Sequence, residues 1–416
     1  MKIKKYIVVL LLPLLTVTTL GAQVKPGIEV LRENGFDCLQ GKRVGLLTNP
    51  SGVDRELRST IDILKAAPGV TLVRLFGPEH GVRGDAWAGE ETQDFKDPAT
   101  GLQVYSLYGR YREPTSEMLE GLDAVVYDIQ DVGTRSYTFI SSLGLMMRAC
   151  AAKGVEVIVL DRPNPLGGNK IEGSYVAGGF HSFVGQYRIP YIYGLTVGEL
   201  ATLINEEGLN RGQKGNLEHV KCKLTVVPMK GWRRNMLFAD TGLPWVLPSP
   251  NIPTSESAVC YPAAGLCGEM YNYLNIGIGY TLPFGLFAEE WIDAEALKAR
   301  LDSYRLKGVA WRTIHFKPLS GRLSGKLIHG VQYFFTDYEA AEISLTQFYV
   351  MQAVNELYGR NPFKESGERL AMFNKVTGTD FISSKFGATM RVADIEAYWR
   401  KDEDEFRRLA EVYHIY

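Results

Sequence analysis

The stretch Arg43-Val44-Gly45-Leu46-Leu47-Thr48-Asn49 decides the fold class, because a short apolar run ends abruptly there in polar residues. Such a run, bounded by glycine, proline and asparagine, predicts a strand that is buried on both faces. Four further runs share this character, at 71–76, 124–130, 155–161 and 224–228. Helix-like stretches lie between the runs, at 59–67, 136–153 and 196–207. Strands and helices that alternate in this way predict an α/β fold, with a parallel sheet covered on both faces.

The length of the chain predicts two domains, because 416 residues exceed what one hydrophobic core usually serves. A segment rich in proline and serine, 240–262, predicts an extended linker or a loop beside the active site. After it come a strand-like run at 331–336 and helical patterns at 343–357 and 392–412. We therefore expect a catalytic domain over residues 23–257 and a smaller α+β domain over residues 258–416.

The first 22 residues predict an export signal. Three lysines among the first five residues precede an apolar run, and Gly21 and Ala22 supply the small residues that a signal peptidase requires. Pro13 interrupts this run, which is also shorter than the roughly 20 residues needed to span a bilayer. The mature chain is expected outside the cytoplasm, periplasmic or secreted, without stable membrane insertion.

Charge and cysteine content argue against several classes of protein. The 46 basic and 47 acidic residues are balanced, which argues against a nucleic-acid-binding surface. Five scattered cysteines are too few for a disulfide framework, and both a Cys260–Cys267 bond and buried free thiols remain open. The sequence has neither a zinc-site spacing nor a GxGxxG or Walker loop, so neither a metal nor any other cofactor is predicted.

Polar clusters follow each of the first four predicted strands, at 49–52, 77–84, 128–137 and 161–168. Ligands of an open α/β sheet bind outside the carboxyl ends of its strands, so these clusters are expected to meet in one site. The substrate-binding candidates among them are Asn49, Ser51, Arg83, Arg135, Tyr137, Asp161, Arg162 and Asn164.

Glu79, in the Gly-Pro-Glu-His-Gly stretch 77–81, is the first candidate for a general acid or base. Burial can raise the pKa of such a carboxyl towards neutrality, although a helix cap or a pair with Arg83 is the structural alternative. His80 could assist Glu79, bind substrate or ligate a metal. Asp128 and Asp131 are candidates for a second catalytic carboxyl, and either could instead cap the following helix.

Two carboxyl groups across a cleft are typical of glycoside hydrolases. One protonates the leaving oxygen, and the other acts as nucleophile or activates water. The same residues leave two alternatives open. One is a metal-dependent hydrolase that uses His80, Asp128 and Asp161, and the other is a non-catalytic periplasmic binding protein.

Taken together, these clusters resemble the exo-β-N-acetylmuramidase family over nearly the whole mature chain. The strings that carry the resemblance are 46–52, 76–84, 127–138, 160–168, 193–199, 248–254 and 330–332. The resemblance implies release of terminal N-acetylmuramic acid from the non-reducing end of peptidoglycan fragments. It also implies a Rossmann-like catalytic domain, a smaller ancillary domain and an active site in the cleft between them. The family's catalytic glutamate falls on Glu79, whereas Asp128, Asp131 or the substrate's own acetamide could be its partner.

The substrate implied by the resemblance carries a lactyl carboxylate, so its site should present a cation. An arginine fork pairs with a carboxylate through two hydrogen bonds. Arg135 is the preferred candidate because it lies near Asp131 in the sequence, and Arg83 and Arg162 are the others.

Three further positions bear on the substrate. Tyr137 or Tyr280 could stack on the sugar ring, and Asn251 lies within one of the family strings. One departure from the family is visible at Ile278, where many relatives have the arginine of a Gly-Arg-Gly-Thr segment. Whatever that arginine contacts in the relatives must be bound differently here.

Overall fold

The computed structural model describes residues 23–87, 89–208, 220–270, 272–365, 367 and 369–416. The predicted export signal, residues 1–22, lies outside the described residues. Within the described ranges, none of the helices combines the length and the apolar character that crossing a membrane requires.

A sheet of seven strands forms the first half of the molecule. Its strands are β1 (Arg43–Thr48), β2 (Thr71–Gly77), β3 (Phe95–Lys96), β4 (Gln103–Ser106), β5 (Ala124–Asp128), β6 (Glu156–Leu160) and β7 (Leu224–Val227). The order is β3-β4-β2-β1-β5-β6-β7, and every pair is parallel except the short antiparallel pair of β3 and β4. The predicted α/β class is confirmed, and each of the five predicted strands is found within two residues of its predicted ends.

Four helices cover the two faces of this sheet, namely α1 (Gly27–Glu33), α2 (Thr60–Lys65), α3 (Phe139–Lys153) and α4 (Val197–Glu207). Successive side chains of a strand point to opposite faces. In β1, Leu46 therefore packs with α1 and α2, whereas Leu47 packs with α3 and α4. Both faces of the sheet are buried at β1, which is why the sequence of β1 is an almost continuous apolar run.

The second half of the molecule is built around a three-stranded antiparallel sheet in the order β8-β10-β9. Its elements are α5 (Ser255–Gly268), β8 (Leu286–Glu289), α6 (Ala294–Ser303), β9 (Val309–Phe316), β10 (Ile328–Phe335), α7 (Thr346–Tyr358), α8 (Pro362–Glu365), α9 (Arg369–Thr377), α10 (Phe381–Thr389), α11 (Glu396–Arg400) and α12 (Glu403–Glu411). This mixture of helices with a small sheet matches the predicted α+β character.

Two features of the second half differ from the sequence-based expectation. Pro262 belongs to α5 rather than to an extended segment, so the extended stretch ends at Thr254. The helix expected over 392–412 is divided into α11 and α12. The division has a packing reason, because Trp399 is buried in the core of the second half while Phe406 is buried against the large sheet. The chain turns between them to reach both cores.

Candidate active site

A cavity of about 430 Å³ lies beyond the carboxyl ends of β2 and β5, lined by residues from both halves of the chain. Its volume is within the range of small-molecule sites in proteins. The polar and aromatic residues that line it include Glu79, His80, Tyr108, Arg112, Ser136, Tyr137, Thr138, Phe183, Ser249, Asn251, Tyr261, Glu269 and Lys375.

Glu79 follows β2 directly and presents a half-buried carboxyl group to this cavity. Its Oε2 accepts a hydrogen bond from the Thr138 hydroxyl at 2.9 Å, and its Oε1 accepts one from the backbone N–H of Gly89 at 3.1 Å. The carboxyl group is therefore held at both oxygens, with one side still open to a ligand.

Tyr108 provides a third contact to this carboxyl group. Burial, followed by the negative charge of Glu79 and a hydrogen bond to it, raises the pKa of Tyr108 to about 12. The phenol therefore stays protonated at any physiological pH, and its O–H donates towards the Glu79 carboxylate.

His80 lies next to the catalytic candidate in an uncommon backbone conformation, with φ at +72°. Gly81 follows with φ at +74°, and two consecutive left-handed residues turn the chain sharply. The His80 Nδ1 lies 3.0 Å from the carbonyl oxygen of Ala86. A carbonyl can only accept, so Nδ1 carries a hydrogen in this contact.

Asp128 lies outside the cavity lining and is paired with Arg162, another predicted site residue. The guanidinium donates to both carboxylate oxygens, and the Thr60 hydroxyl donates to one of them. Both side chains are almost fully buried. The pair is a two-point contact that joins the ends of β5 and β6, and it leaves neither group facing the cavity.

Asp131 is also buried outside the cavity lining. Its Oδ2 accepts hydrogen bonds from the Tyr193 hydroxyl and, at 2.9 Å, from the backbone N–H of Gly133. Its Oδ1 has no partner among the described residues. Burial raises the pKa of Asp131 to about 6.

Asp161 stabilises the start of α4 instead of binding a ligand in the cavity. It accepts hydrogen bonds from the backbone N–H of Gly198 at 2.8 Å, the Thr196 hydroxyl at 2.7 Å and the Tyr416 hydroxyl at 2.7 Å. Burial raises the pKa of this carboxyl to about 6. Tyr416 is the last residue of the chain, so this contact joins the end of the chain to the large sheet.

Arg135, the preferred candidate for binding the lactyl carboxylate, does not line the cavity either. Its guanidinium is buried and donates to four backbone carbonyls, those of Ser174, Ile189, Val376 and Thr377. Burial lowers the pKa of Arg135 to about 10. These four hydrogen bonds join the two halves of the chain.

Arg83 forms a two-point ion pair with Asp97 away from the cavity, at 2.8 and 3.0 Å. The structure thus places all three predicted arginines, at 83, 135 and 162, in structural contacts.

Three predicted polar residues connect loops at the edge of the sheet. Asn49 donates to the carbonyl of Pro248 at 3.1 Å and accepts from the Ser51 backbone N–H at 3.0 Å. Asn164 donates to the carbonyl of Leu195 at 2.9 Å. Asn49, Ser51 and Asn164 do not line the cavity.

Tyr137 and Asn251, two of the predicted substrate-binding residues, line the cavity. The Tyr137 ring meets the ring of Tyr261 edge-on, with 5.6 Å between the ring centres. Tyr280 lies elsewhere and stacks on Phe316 at 4.1 Å. Ile278 packs against the core of the second half, outside the cavity lining.

Several lining residues escaped prediction from the sequence, namely Tyr108, Arg112, Thr138, Phe183, Glu269 and Lys375. Tyr108 and Arg112 follow β4, a strand of four residues without an apolar run that could have revealed it. Thr138 could have been found, because it ends one of the strings quoted for the family resemblance. Glu269 supplies a second carboxyl group to the cavity, and burial raises its pKa.

No group of three or more His, Cys, Asp and Glu side chains that could hold a metal ion occurs in the part of the chain that the structure describes. Of the residues proposed for a metal-dependent alternative, Asp128 and Asp161 are engaged by Arg162 and by Thr196 and Tyr416. All five cysteines are free thiols, so the Cys260–Cys267 disulfide does not form.

Two family models together match almost the whole described chain. The model described as exo-beta-N-acetylmuramidase NamZ, N-terminal, matches residues 44–256, and its C-terminal counterpart matches residues 259–416. The chain is also 43% identical over 395 residues to the peptidoglycan beta-N-acetylmuramidase NamZ of Bacillus subtilis strain 168, covering 95% of this chain and 92% of that protein.

Two solved structures of DUF1343 family proteins from Bacteroides fragilis NCTC 9343 have the same fold. One is 49% identical with a TM-score of 0.88, and the other is 27% identical with a TM-score of 0.74. Each comparison covers 95% of this chain and 99% of the other. The family resemblance is confirmed, and this chain belongs to the exo-β-N-acetylmuramidase NamZ family.

Proposed function

We propose that this protein is an exo-acting glycosidase that releases terminal N-acetylmuramic acid from the non-reducing end of peptidoglycan fragments. The observation that carries the proposal is Glu79, held at both oxygens by Thr138 and Gly89 at the wall of a sugar-sized cavity. The matched relative from Bacillus subtilis is named as a peptidoglycan beta-N-acetylmuramidase, which supports the same substrate class. Residues 1–22 would export the chain to the compartment where this polymer lies.

In this proposal Glu79 is the general acid/base of the reaction. Hydrolysis of a glycosidic bond needs a proton on the departing oxygen, and a carboxyl group at that oxygen supplies it. The contacts from Thr138 and Tyr108 orient the carboxyl group towards the cavity. Neither Asp128 nor Asp131 lines the cavity, so Glu269 and the substrate's acetamide are the groups that can complete the displacement at the sugar carbon.

The substitution Glu79→Gln tests this function. It removes the proton donor but keeps the shape of the side chain, so we expect kcat for a muramyl disaccharide to fall by roughly 10²- to 10⁴-fold. Release of N-acetylmuramic acid, followed by chromatography, measures the effect. Glu91→Gln in the same loop is the control, because Glu91 is exposed and lies outside the cavity lining. Near-normal turnover by the Glu79 variant would exclude Glu79 as the catalyst.

A further inference from the structure

The substrate class of the proposed function requires a cation that no predicted residue supplies. Muramic acid differs from glucosamine by a lactyl ether that ends in a carboxylate, so selectivity for it needs a positive charge in the cavity. Arg83, Arg135 and Arg162 are committed to an aspartate, to backbone carbonyls and to a second aspartate. Among the described lining residues, the cations are Arg112 and Lys375.

Arg112 is held in place by aromatic rings and not by an acid. Its guanidinium carbon lies 4.3 Å from the centre of the Phe183 ring and 5.5 Å from that of Tyr108. Rings that cover a guanidinium face hold it in position while its N–H groups, which lie in its plane, point outwards. Arg112 is thus preorganised for a planar, two-point contact with a carboxylate.

The charge of Arg112 is not neutralised by a neighbouring carboxylate in the part of the chain that the structure describes. Its neighbour in sequence, Glu113, is taken by Arg148, whose Nε donates to Oε1 at 2.8 Å. No hydrogen bond or ion pair of the Arg112 side chain is found among the described residues. An arginine that lines a cavity with its charge unpaired has the chemistry of an anion-binding group.

Arg112 and the catalytic candidate share one neighbour, Tyr108, in the cavity lining. Tyr108 lies between them, because its ring is covered by Arg112 and its hydroxyl is hydrogen-bonded to Glu79. The two charged groups therefore both lie next to Tyr108. In a muramic acid glycoside the scissile bond is on C1 and the lactyl ether is on C3, so the departing oxygen and the carboxylate flank the acetamide on C2.

We propose that Arg112 binds the lactyl carboxylate of the substrate and sets the selectivity for muramic acid over other N-acetylhexosamines. This assignment rests on the proposed function. It makes Arg112 a specificity-determining residue, with Phe183 and Tyr108 holding its guanidinium in place. Lys375 is the competing cation, and the experiment separates the two.

The test compares two aryl β-glycosides of N-acetylmuramic acid, one with the free lactyl carboxylate and one with that group converted to its amide. The wild-type protein should prefer the carboxylate. Arg112→Met should lower kcat/KM for the carboxylate substrate by roughly 10- to 100-fold, mainly through KM, because a hydrogen-bonded charge contact is lost. Its kcat/KM for the amide should fall much less than that for the carboxylate, and turnover of the amide also shows that the variant is folded. For the carboxylate substrate, kcat/KM of Arg112→Lys should lie between that of the wild type and that of Arg112→Met.

Arg110→Met is the matched control, because Arg110 covers the Tyr111 ring in the same loop and does not line the cavity. It should keep the wild-type preference. A preference that survives in Arg112→Met, or that disappears in Lys375→Met instead, overturns the assignment of Arg112 alone. Absence of turnover of both glycosides by the wild type overturns the proposed function, and the assignment with it.

Discussion

Asp131 shows that a carboxyl group can belong to the fold although its position in the sequence suggests catalysis. It follows β5 by three residues, in a cluster expected to reach the ligand. The structure instead buries it with Tyr193 and the Gly133 N–H as donors. Burial raises its pKa from 3.8 to about 6, so the folded protein holds this proton more tightly than the unfolded chain does. The contribution of Asp131 to the free energy of unfolding is therefore greatest below pH 4 and is lost as the pH rises through 6.

Asp131→Asn should therefore stabilise the protein at neutral pH. The amide oxygen keeps both donors while the buried charge disappears, so at pH 7.5 we expect the free energy of unfolding to rise by up to about 3 kcal/mol. At pH 4 the variant and the wild type should differ little. Urea unfolding at the two pH values measures this, and hydrolysis should persist because Asp131 does not line the cavity.

Asp123→Asn provides a control of opposite sign. The backbone N–H of Arg43 and its side chain lower the pKa of Asp123, so this variant should lose stability towards neutral pH. A stability difference for Asp131→Asn that is the same at pH 4 and pH 7.5 would contradict the assignment of its raised pKa.

At the scale of elements, the residue at the N-terminus of α3 binds a side chain of the cavity and does not cap the helix. Thr138 occupies the N-cap position, yet its side chain caps no backbone N–H and donates to Glu79 instead. The corresponding Thr196 of α4 behaves oppositely, because it caps the helix in a full capping box with Glu199. The same residue type at the same helix position therefore has two different functions.

This contrast predicts two separable effects. Thr138→Val should lower kcat by roughly 10- to 100-fold, since a hydrogen bond to a charged group is lost, and should change the melting temperature little. Thr196→Val should do the reverse and lose stability while kcat is kept, because it removes the helix cap, worth roughly 1–2 kcal/mol, and also the hydroxyl that donates to the buried Asp161. Measuring kcat and the melting temperature of both variants separates the effect on catalysis from the effect on stability. If the Thr138 variant lost stability without losing kcat, its contact with Glu79 would have no catalytic role.

At the scale of the whole molecule, Arg135 joins two parts of the chain that are about 240 residues apart. Its guanidinium donates to carbonyls at Ser174 and Ile189 in the first half, and to those of Val376 and Thr377 at the end of α9. The residues around α9 also supply Lys375 to the cavity. The shape of the cavity therefore depends on this buried contact.

Arg135→Met should destabilise the whole protein, because four buried carbonyls lose their donor. We expect a loss of roughly 2–5 kcal/mol in the free energy of unfolding, measured by urea denaturation. Arg83→Met is the comparison variant, because Arg83 is one-third exposed and the buried Asp97 keeps hydrogen bonds from the Thr100 N–H and hydroxyl, so it should lose less stability than Arg135→Met. Equal losses for the two variants would show that Arg135 does not join the halves.

Much of the fold could be predicted because its determinants are local. A strand buried on both faces needs a continuous apolar run, and β1, β2, β5, β6 and β7 each have one. β3 has only two residues, and β4 alternates between buried and half-buried residues with glutamine and serine at its ends, so neither strand has such a run. The loop after β4 was missed with them, and it carries Tyr108 and Arg112 into the cavity.

The amino-acid sequence alone determined the α/β class, the family and the placement of Glu79 beyond the second strand, because each rests on residues close together in the chain. Only the tertiary structure decided which polar residues of the clusters line the cavity. Asp128 and Arg162 neutralise each other across 34 residues, and Arg135 is bound by carbonyls far along the chain. A buried charge or hydrogen-bond donor costs free energy unless it has a partner. The partner can come from anywhere in the chain, so the local sequence does not reveal it. Glu79 remains open to the cavity because its partners hold it without covering it.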